Sequence, residues 1–458
     1  MKNTRILLIQ PPLEDFYITS CRTYPLGLAF LAGYLKPHGY DVKIFNALER
    51  RQGRQIPVPA EFSAVHKLFS AYGLYSGYKY FGYSGETILR AVKEYDPFLI
   101  GINSNCTAYF EQVKKTAQLI KKYVQVPIVI GGHHATVLGP EILQLCPEID
   151  YVVCGEGEIP LLELAGFISG NRSAPPHNIL SADFPFNASP ESAWPETTPG
   201  HDLLNHSRYR LGKKNLVSTA AGRGCSHACT FCGVQKVSGN KMRFRRTDAL
   251  IEEITDCALK YHVQVINFED DNLSFSRGWF MDFLARAQEI KNYNIEYCAM
   301  NGICADTLDE EIVYSMKQAG FRTLNISLIA ESSRLQKQYN RPVNTRHIKN
   351  AVTWAKKHDL FTTVYLIIGL PGQTKKEILD TINFVDNLGV LIGPSVFYPV
   401  PATVLFEKCV QDGLINRNTW NQFRSTAVNM ETEYLNRNDI VECLAKAREL
   451  NLKKKISL

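Results

Sequence analysis

Cys225-Ser226-His227-Ala228-Cys229-Thr230-Phe231-Cys232 places three thiols at the spacing C-x-x-x-C-x-x-C, just after the stretch Leu216-Val217-Ser218-Thr219. Thiolates are soft ligands, suited to zinc and to iron–sulfur clusters. A four-iron cluster takes four ligands. This loop offers three from one compact turn and leaves one iron open to something that is not protein. Zinc is the competing metal, with His227 as a fourth ligand. Structural zinc sites favour two separated ligand pairs in a small module, and one loop in the middle of a long chain fits that poorly. A third reading has the thiols close together by chance.

The chain has 458 residues, enough for two or three domains with cores of their own. Charged residues make up 21% and hydrophobic residues 45%, the balance of a globular protein. The net charge of +6 is spread along the chain, which is mildly basic and far from a nucleic-acid-binding footprint. The first residues lack the apolar core and cleavage site of a secretory signal. No uninterrupted apolar run approaches about 20 residues, so no spanning helix is expected. Twelve cysteines without such a signal point to a reducing cytoplasm. Most of those outside the loop read as small buried hydrophobes.

Strands and helices alternate from the start. Arg5 to Pro12 reads as a buried strand stopped by prolines, 24–35 as a helix and Asp41 to Asn46 as a strand. Residues 50–85 form an aromatic-rich insert, read as a satellite core under a long loop or as a lid over a flat cofactor. Strands resume at 98–104, 126–132 and 149–154, with a helix at 109–123. This pattern predicts a doubly wound parallel sheet with ligands outside the carboxyl ends of its strands, where Gly131, Gly132 and Gly155 sit. Residues 171–212, rich in Pro, Ser and Asn, read as an extended linker.

Alternation returns at 213–403. Strands are expected at 215–219, 263–268, 295–300, 323–328, 362–368 and 393–398, with helices at 247–261, 278–290, 309–319, 345–358 and 375–388. Six steps are too few for the eight-fold barrel. Residues 404–458 read as a short helical extension.

The thiol loop, with its aromatic residue before the last cysteine, resembles the cluster loop of the radical S-adenosylmethionine (SAM) enzymes. Residues 213–403 resemble their open six-step barrel. Tyr24-Pro25-Leu26-Gly27-Leu28, Gly131 to Thr136 and Gly155-Glu156-Gly157-Glu158 resemble the cobalamin-binding domain that precedes the barrel in one large subfamily, here residues 1–170. The cobalt-ligating D-x-H-x-x-G motif of many cobalamin domains is absent, as it commonly is in that subfamily. The fold implied is α/β: an N-terminal Rossmann-like cobalamin-binding domain, a partial (βα)6 radical SAM barrel and a short helical C-terminal tail. The cofactors implied are a 4Fe-4S cluster on Cys225, Cys229 and Cys232, SAM, and cobalamin.

The resemblance also implies site residues. For SAM these are Phe231, Asp270 and Asp271 (with Glu269 set aside because alternation points it elsewhere), Ser327, Glu331, Arg341, Gly369 and Tyr398. Plain alternatives stand beside them: a helix cap for the acidic run, a surface role for Arg341, a tight turn for Gly369, packing for Tyr398. Ile329-Ala330 stand where the subfamily commonly has a glycine. For cobalamin the residues are Ser104, Thr107, Gly131, Gly132, His133, Thr136, Gly155 and Glu156. A Rossmann-like domain that binds nothing or docks substrate is the alternative there. The implied activity is cobalamin-dependent methyl transfer to a poorly activated carbon of a peptide, protein or apolar small molecule (a tetrapyrrole, an isoprenoid or an antibiotic intermediate), fed by a one-electron reductant such as flavodoxin or ferredoxin. Ring closure or rearrangement without net methylation is the alternative, and a non-catalytic corrinoid or metal carrier the reading of another class.

Overall fold

Arg5–Gln10 (β1) buries Ile6, Leu7, Leu8 and Ile9 on both faces, as a central parallel strand must. Around it the computed structural model, which describes residues 3–17, 24–50, 52–75, 77–182 and 194–456, forms a six-stranded sheet. The other strands are Asp41–Asn46 (β2), Leu99–Asn103 (β3), Ile128–Gly131 (β4), Tyr151–Val153 (β5) and Ile179–Leu180 (β6). Their order is β2-β1-β3-β4-β5-β6, parallel except for the last pair. The order reverses between β1 and β3, so the ligand crevice of such a sheet falls beyond Gln10 and Asn103. Helices Leu26–Leu35 (α1), Gly85–Tyr95 (α2), Phe110–Tyr123 (α3), His133–Leu145 (α4) and Glu158–Ile168 (α5) connect the strands.

The chain divides into two units, Met1–Pro57 with Gly77–Tyr209 and Gly233–Gly239, and Val58–Ser76 with Arg210–Cys232 and Asn240–Leu458. The insert is therefore shared. Leu13–Asp15, Arg54–Gln55 and Lys79–Phe81 make a small antiparallel sheet. The helix Ser63–Ala71 goes with the second unit, where the Arg424 guanidinium lies over the Phe62 ring. Phe62 and Phe69 are buried in the second unit and Phe81 in the first. The stretch expected as an extended linker is partly packed. β6 extends the first sheet, Gly200 donates its amide to Ala29 O at 2.8 Å, and a Cβ on Gly33 would lie 2.0 Å from Thr198 O.

In the second unit the strands Lys214–Thr219 (β7), Val265–Phe268 (β8) and Glu296–Cys298 (β9) are parallel, as are Thr323–Ile329 (β10), Phe361–Ile368 (β11) and Leu391–Val396 (β12). The parallel bridges Tyr297–Phe321 and Ile303–Ile326 join the two groups. Helices Thr247–Tyr261 (α6), Arg277–Glu289 (α7), Glu310–Ala319 (α8), Thr345–Lys357 (α9) and Lys375–Asn387 (α10) follow the strands in turn. These are the six steps the sequence predicts. Local chemistry sets the helix starts: Asp309 caps α8, and Asn344 and Thr374 head capping boxes on α9 and α10. Phe268 meets Phe283 edge-on at 5.3 Å, within a buried aromatic layer that includes Phe280, Tyr297 and Phe321. Val404–Gln411 (α11) and Arg437–Ile456 (α12) form the helical tail.

Candidate functional site

The thiol loop leaves β7 through a clamped backbone. Asp270 is buried, and its two oxygens accept the amides of Ala221 at 3.0 Å and Gly222 at 2.6 Å. Asp271 accepts the Gly224 amide at 3.2 Å. Burial pushes the Asp270 carboxyl up to about 7 and Asp271 up to about 6, against the backbone hydrogen bonds that pull each down. Behind the clamp, Arg245 and Glu253 form a 2.6 Å ion pair with side chains 1% and 2% exposed, and Glu253 also accepts from Thr219 Oγ1 at 2.7 Å.

The three thiols are graded in exposure: Cys229 buried, Cys225 intermediate, Cys232 exposed. Burial pushes the Cys225 thiol up. Thr230 is pinned from both sides, its amide on Tyr339 O at 3.2 Å and its carbonyl under the Leu405 amide at 3.0 Å. Phe231 packs into the core of Ile329, Leu335, Tyr339, Leu370, Phe397 and Leu405. Asn340 and Arg341 follow Tyr339 and face Cys229: Cys229 Sγ is 3.6 Å from Asn340 O, and Arg341 Nη1 is 3.9 Å from Cys229 Sγ. Arg341 Nη2 donates to Ser327 Oγ at 2.8 Å, while its Nε is buried with no hydrogen-bond partner. The structure thus brings Cys229, Arg341 and Ser327 together from three separate segments.

Three sulfur donors in one braced loop, beside an arginine with a spare buried N–H, fit an iron–sulfur cluster with an anionic ligand next to it. Ile329 adopts φ +69° at a bulge in the β10–β11 ladder. A branched side chain there is strained, and its burial in the loop's core offsets the strain.

The other expected SAM residues lie at strand ends. Glu331 is exposed, its amide donating to Thr381 Oγ1 at 3.0 Å. Gly369 has φ +89° in a turn held by Gln373, and a Cβ there would lie 3.2 Å from Ile440 Cδ1 of α12. The chain itself fills that space. Tyr398, just past β12, is 37% exposed. The acidic run departs from the expectation. Phe268 faces α7, so Asp270, two residues on, turns to the same side and grips backbone. Glu269 turns to the other side with Asn267, whose Nδ2 donates to Glu269 Oε1 at 2.6 Å; Asn301 Nδ2 donates to Oε2 at 3.2 Å. A polar residue mid-strand, Asn267, is the signal that marks this face. Cys304 and Asp306 were also missed, because they come after β9 with no motif around them.

In the first unit, the carboxyl ends of β3, β4 and β5 meet. Ser104 donates its amide to Gly131 O at 2.8 Å, and its Oγ is buried without a partner. Thr107 Oγ1 lies 3.1 Å from His134 Nδ1. Thr136 Oγ1 donates to Gly132 O and accepts the Gly155 amide, both at 2.9 Å, which ties the β4 and β5 loops together. Gly132 has φ +118°, and a Cβ there would lie 2.2 Å from Asn105 Oδ1, so only glycine fits against this neighbouring loop. His133 is exposed and Glu156 buried. His134 is buried against Phe110, and burial pushes it down to about 3. The orphaned Ser104 hydroxyl at the switch point fits a large polar cofactor lying across these ends.

A doubly wound switch-point domain and a six-step partial barrel with a three-thiol loop define an enzyme that joins a corrinoid domain to a SAM-cleaving one. Residues 220–385 match the model of the Radical SAM superfamily, and residues 21–165 that of the B12 binding domain. The chain is 26% identical to an uncharacterized methyltransferase of Pyrococcus horikoshii, over 98% of this chain and 92% of that one. It is 22% identical to cytidylyl-2-hydroxyethylphosphonate methyltransferase of Streptomyces wedmorensis, over 90% and 83%. It is 22% identical to anaerobic magnesium-protoporphyrin IX monomethyl ester cyclase of Rubrivivax gelatinosus, over 88% and 70%. In fold it is similar to the radical SAM methyltransferase TsrM of Kitasatospora setae, solved with cobalamin and a [4Fe-4S] cluster bound, with a TM-score of 0.66, 15% identity, and 90% of this chain and 75% of that one covered.

The chain thus carries a B12 binding domain ahead of a Radical SAM domain, and the curated proteins it resembles include named methyltransferases. Radical SAM enzymes need a reductant. Among the described residues no helix is long and apolar enough to cross a membrane.

Proposed function

We propose that this chain methylates a poorly activated carbon of a peptide, protein or apolar small molecule. When bound, the cluster with SAM supplies one-electron cleavage of a sulfonium, and cobalamin supplies a methyl carrier. Cys225, Cys229 and Cys232 would hold the iron. Asp270 and Asp271 fix the loop that presents these thiols. Arg341, anchored on Ser327, offers its remaining guanidinium N–H to the SAM carboxylate, for which a fixed planar fork is suited. Ser104, with Gly155 and Thr136 beside it, holds cobalamin in the first unit. Glu269, Asn267 and Asn301 give the opposite strand face a polar set able to orient a substrate amine or hydroxyl. Electrons come from a flavodoxin- or ferredoxin-like protein.

The observation that carries this reading is the meeting of Cys229, Arg341 and Ser327 in a chain that also has a switch-point domain. The test is anaerobic reconstitution with iron, sulfide, cobalamin, SAM and a reductant, followed by counting 5′-deoxyadenosine and S-adenosylhomocysteine. Methylation yields both, with a product heavier by one methylene. Cys229→Ala is expected to abolish deoxyadenosine, and continued cleavage in that variant would overturn the site. Similarity to a cyclase over 88% of the chain favours a second reading, ring formation without methyl transfer. Deoxyadenosine without S-adenosylhomocysteine would select it.

A further inference from the structure

His227, Cys304 and Asp306 bring an imidazole nitrogen, a thiol and a carboxylate oxygen within 4.8 Å of one another. His227 comes from the thiol loop, whereas Cys304 and Asp306 come from the segment after β9. His227 Nδ1 is 3.8 Å from Cys304 Sγ, and its Nε2 is 3.8 Å from Asp306 Oδ2. Cys304 is a buried free thiol, and Asp306 Oδ1 is buried with no hydrogen-bond partner. A buried carboxylate oxygen without a donor is costly, and a cation is one way to satisfy it. The Cys304 backbone is fixed, since Thr307 Oγ1 donates to Cys304 O at 2.8 Å and lies 2.5 Å from Ser274 Oγ. Phe275 stands edge-on to the His227 ring at 6.5 Å.

We propose that His227, Cys304 and Asp306 bind one divalent transition-metal ion, of the zinc type, distinct from the iron held by the cysteine trio. Nitrogen, sulfur and oxygen ligands at about 2.0–2.3 Å from a tetrahedral ion lie roughly 3.3–3.8 Å apart, and with one imidazole nitrogen serving the ion the triad, now within 4.8 Å, closes by up to about 1 Å to reach that. Cys304 loses its proton to solvent as the metal–sulfur bond forms. Thiolate and carboxylate then carry two negative charges, matching a dication. Three protein ligands leave a fourth position for water or for an oxygen of the substrate. Bound there, the ion would tether the middle of the thiol loop to the end of the third barrel strand.

The probe is Co²⁺, titrated into the 458-residue chain carrying Cys225→Ala, Cys229→Ala and Cys232→Ala, which cannot hold the cluster. One equivalent should bind with a thiolate-to-cobalt charge-transfer band in the near ultraviolet and d–d bands in the visible. Adding Cys304→Ser should remove the charge-transfer band, and adding His227→Ala should weaken binding at least about tenfold. No such band in the folded cluster-free chain, or a band that survives Cys304→Ser, overturns the proposal. A second measurement leaves the loop intact. Wild-type protein, reconstituted with iron and sulfide and then exposed to zinc, should keep one zinc after desalting, and Cys304→Ser should lose that zinc and keep its iron. Equal zinc in the two proteins, or none in the wild type, also overturns it. Neither measurement depends on methyl transfer, so failure here leaves the proposed activity standing.

Discussion

Asp270 Oδ1 accepts the Gly222 amide at 2.6 Å, while Oδ2 of the same carboxylate accepts the Ala221 amide at 3.0 Å. The thiol loop therefore starts from backbone fixed by a side chain at the end of the neighbouring strand. Asp270→Asn keeps one acceptor and turns an NH₂ group toward an amide N–H. It should cost about 1–3 kcal/mol and lower the iron retained after reconstitution severalfold. Iron analysis beside a urea titration checks this, and full iron loading in the variant contradicts it.

The same two carboxyls give the cluster-free chain a pH dependence. In the folded state Asp270 sits at about 7 and Asp271 at about 6, whereas an unfolded Asp titrates near 3.8. Between these values the folded chain holds protons that the unfolded chain has released, so stability falls as pH rises from about 4 to about 7, by at most about 1.4 kcal/mol per pH unit for each group. Urea midpoints at pH 5 and pH 7 test it: the second unit should be weaker at pH 7, and the difference should shrink in Asp270→Asn.

His134 gives the first unit the opposite sign. Burial lowers its folded pKa to about 3 from 6.5. Below pH 6.5 the unfolded chain gains a proton that the folded one refuses, so stability is lost as pH falls through 6.5 toward 3. His134→Gln keeps a polar group near Thr107 and removes the titration. Its urea midpoint should change less than that of the wild type between pH 7 and pH 4.5.

Ile329 combines φ +69° with a buried side chain. Ile329→Ala keeps the strained backbone and gives up the packing, with an expected loss of about 2–5 kcal/mol. Ile329→Gly gives up the same packing but relieves about 1–2 kcal/mol of strain. The glycine variant should therefore be the more stable of the two, the reverse of their order in an ordinary strand. Thermal melts of the two variants decide it.

Arg341→Lys keeps a positive charge beside Cys229 but loses the planar fork that reaches Ser327 Oγ. SAM binding to cluster-loaded protein should weaken at least about tenfold, since a point charge does not replace a fixed guanidinium. Equilibrium dialysis with labelled SAM measures this, and unchanged affinity would place the SAM carboxylate elsewhere.

Much of the fold was legible because its periods are strong. The strand expected at 215–219 and the helix expected at 375–388 lie within a residue or two of β7 and α10, and the Thr374–Glu377 capping box marks the start of α10. The direction of the acidic run was not legible. β8 is buried on both faces, so hydrophobicity did not reveal which side of the strand Asp270 shares; the packing of Phe268 on α7 does. The close approach of Gly132 and Gly369 to parts of the chain distant in sequence was not legible either.

The α/β class, the two successive runs of strand and helix and the three-thiol loop are all matters of short-range period and spacing, and are readable from the order of residues alone. The meeting of Arg341 and Ser327 with Cys229, the grip of Asp270 on Gly222, and the facing of His227 with Cys304 and Asp306 are visible in the folded chain alone. These pairings join strand ends far apart in sequence. Their proximity follows from strand order and register, which long-range packing sets and no local pattern encodes.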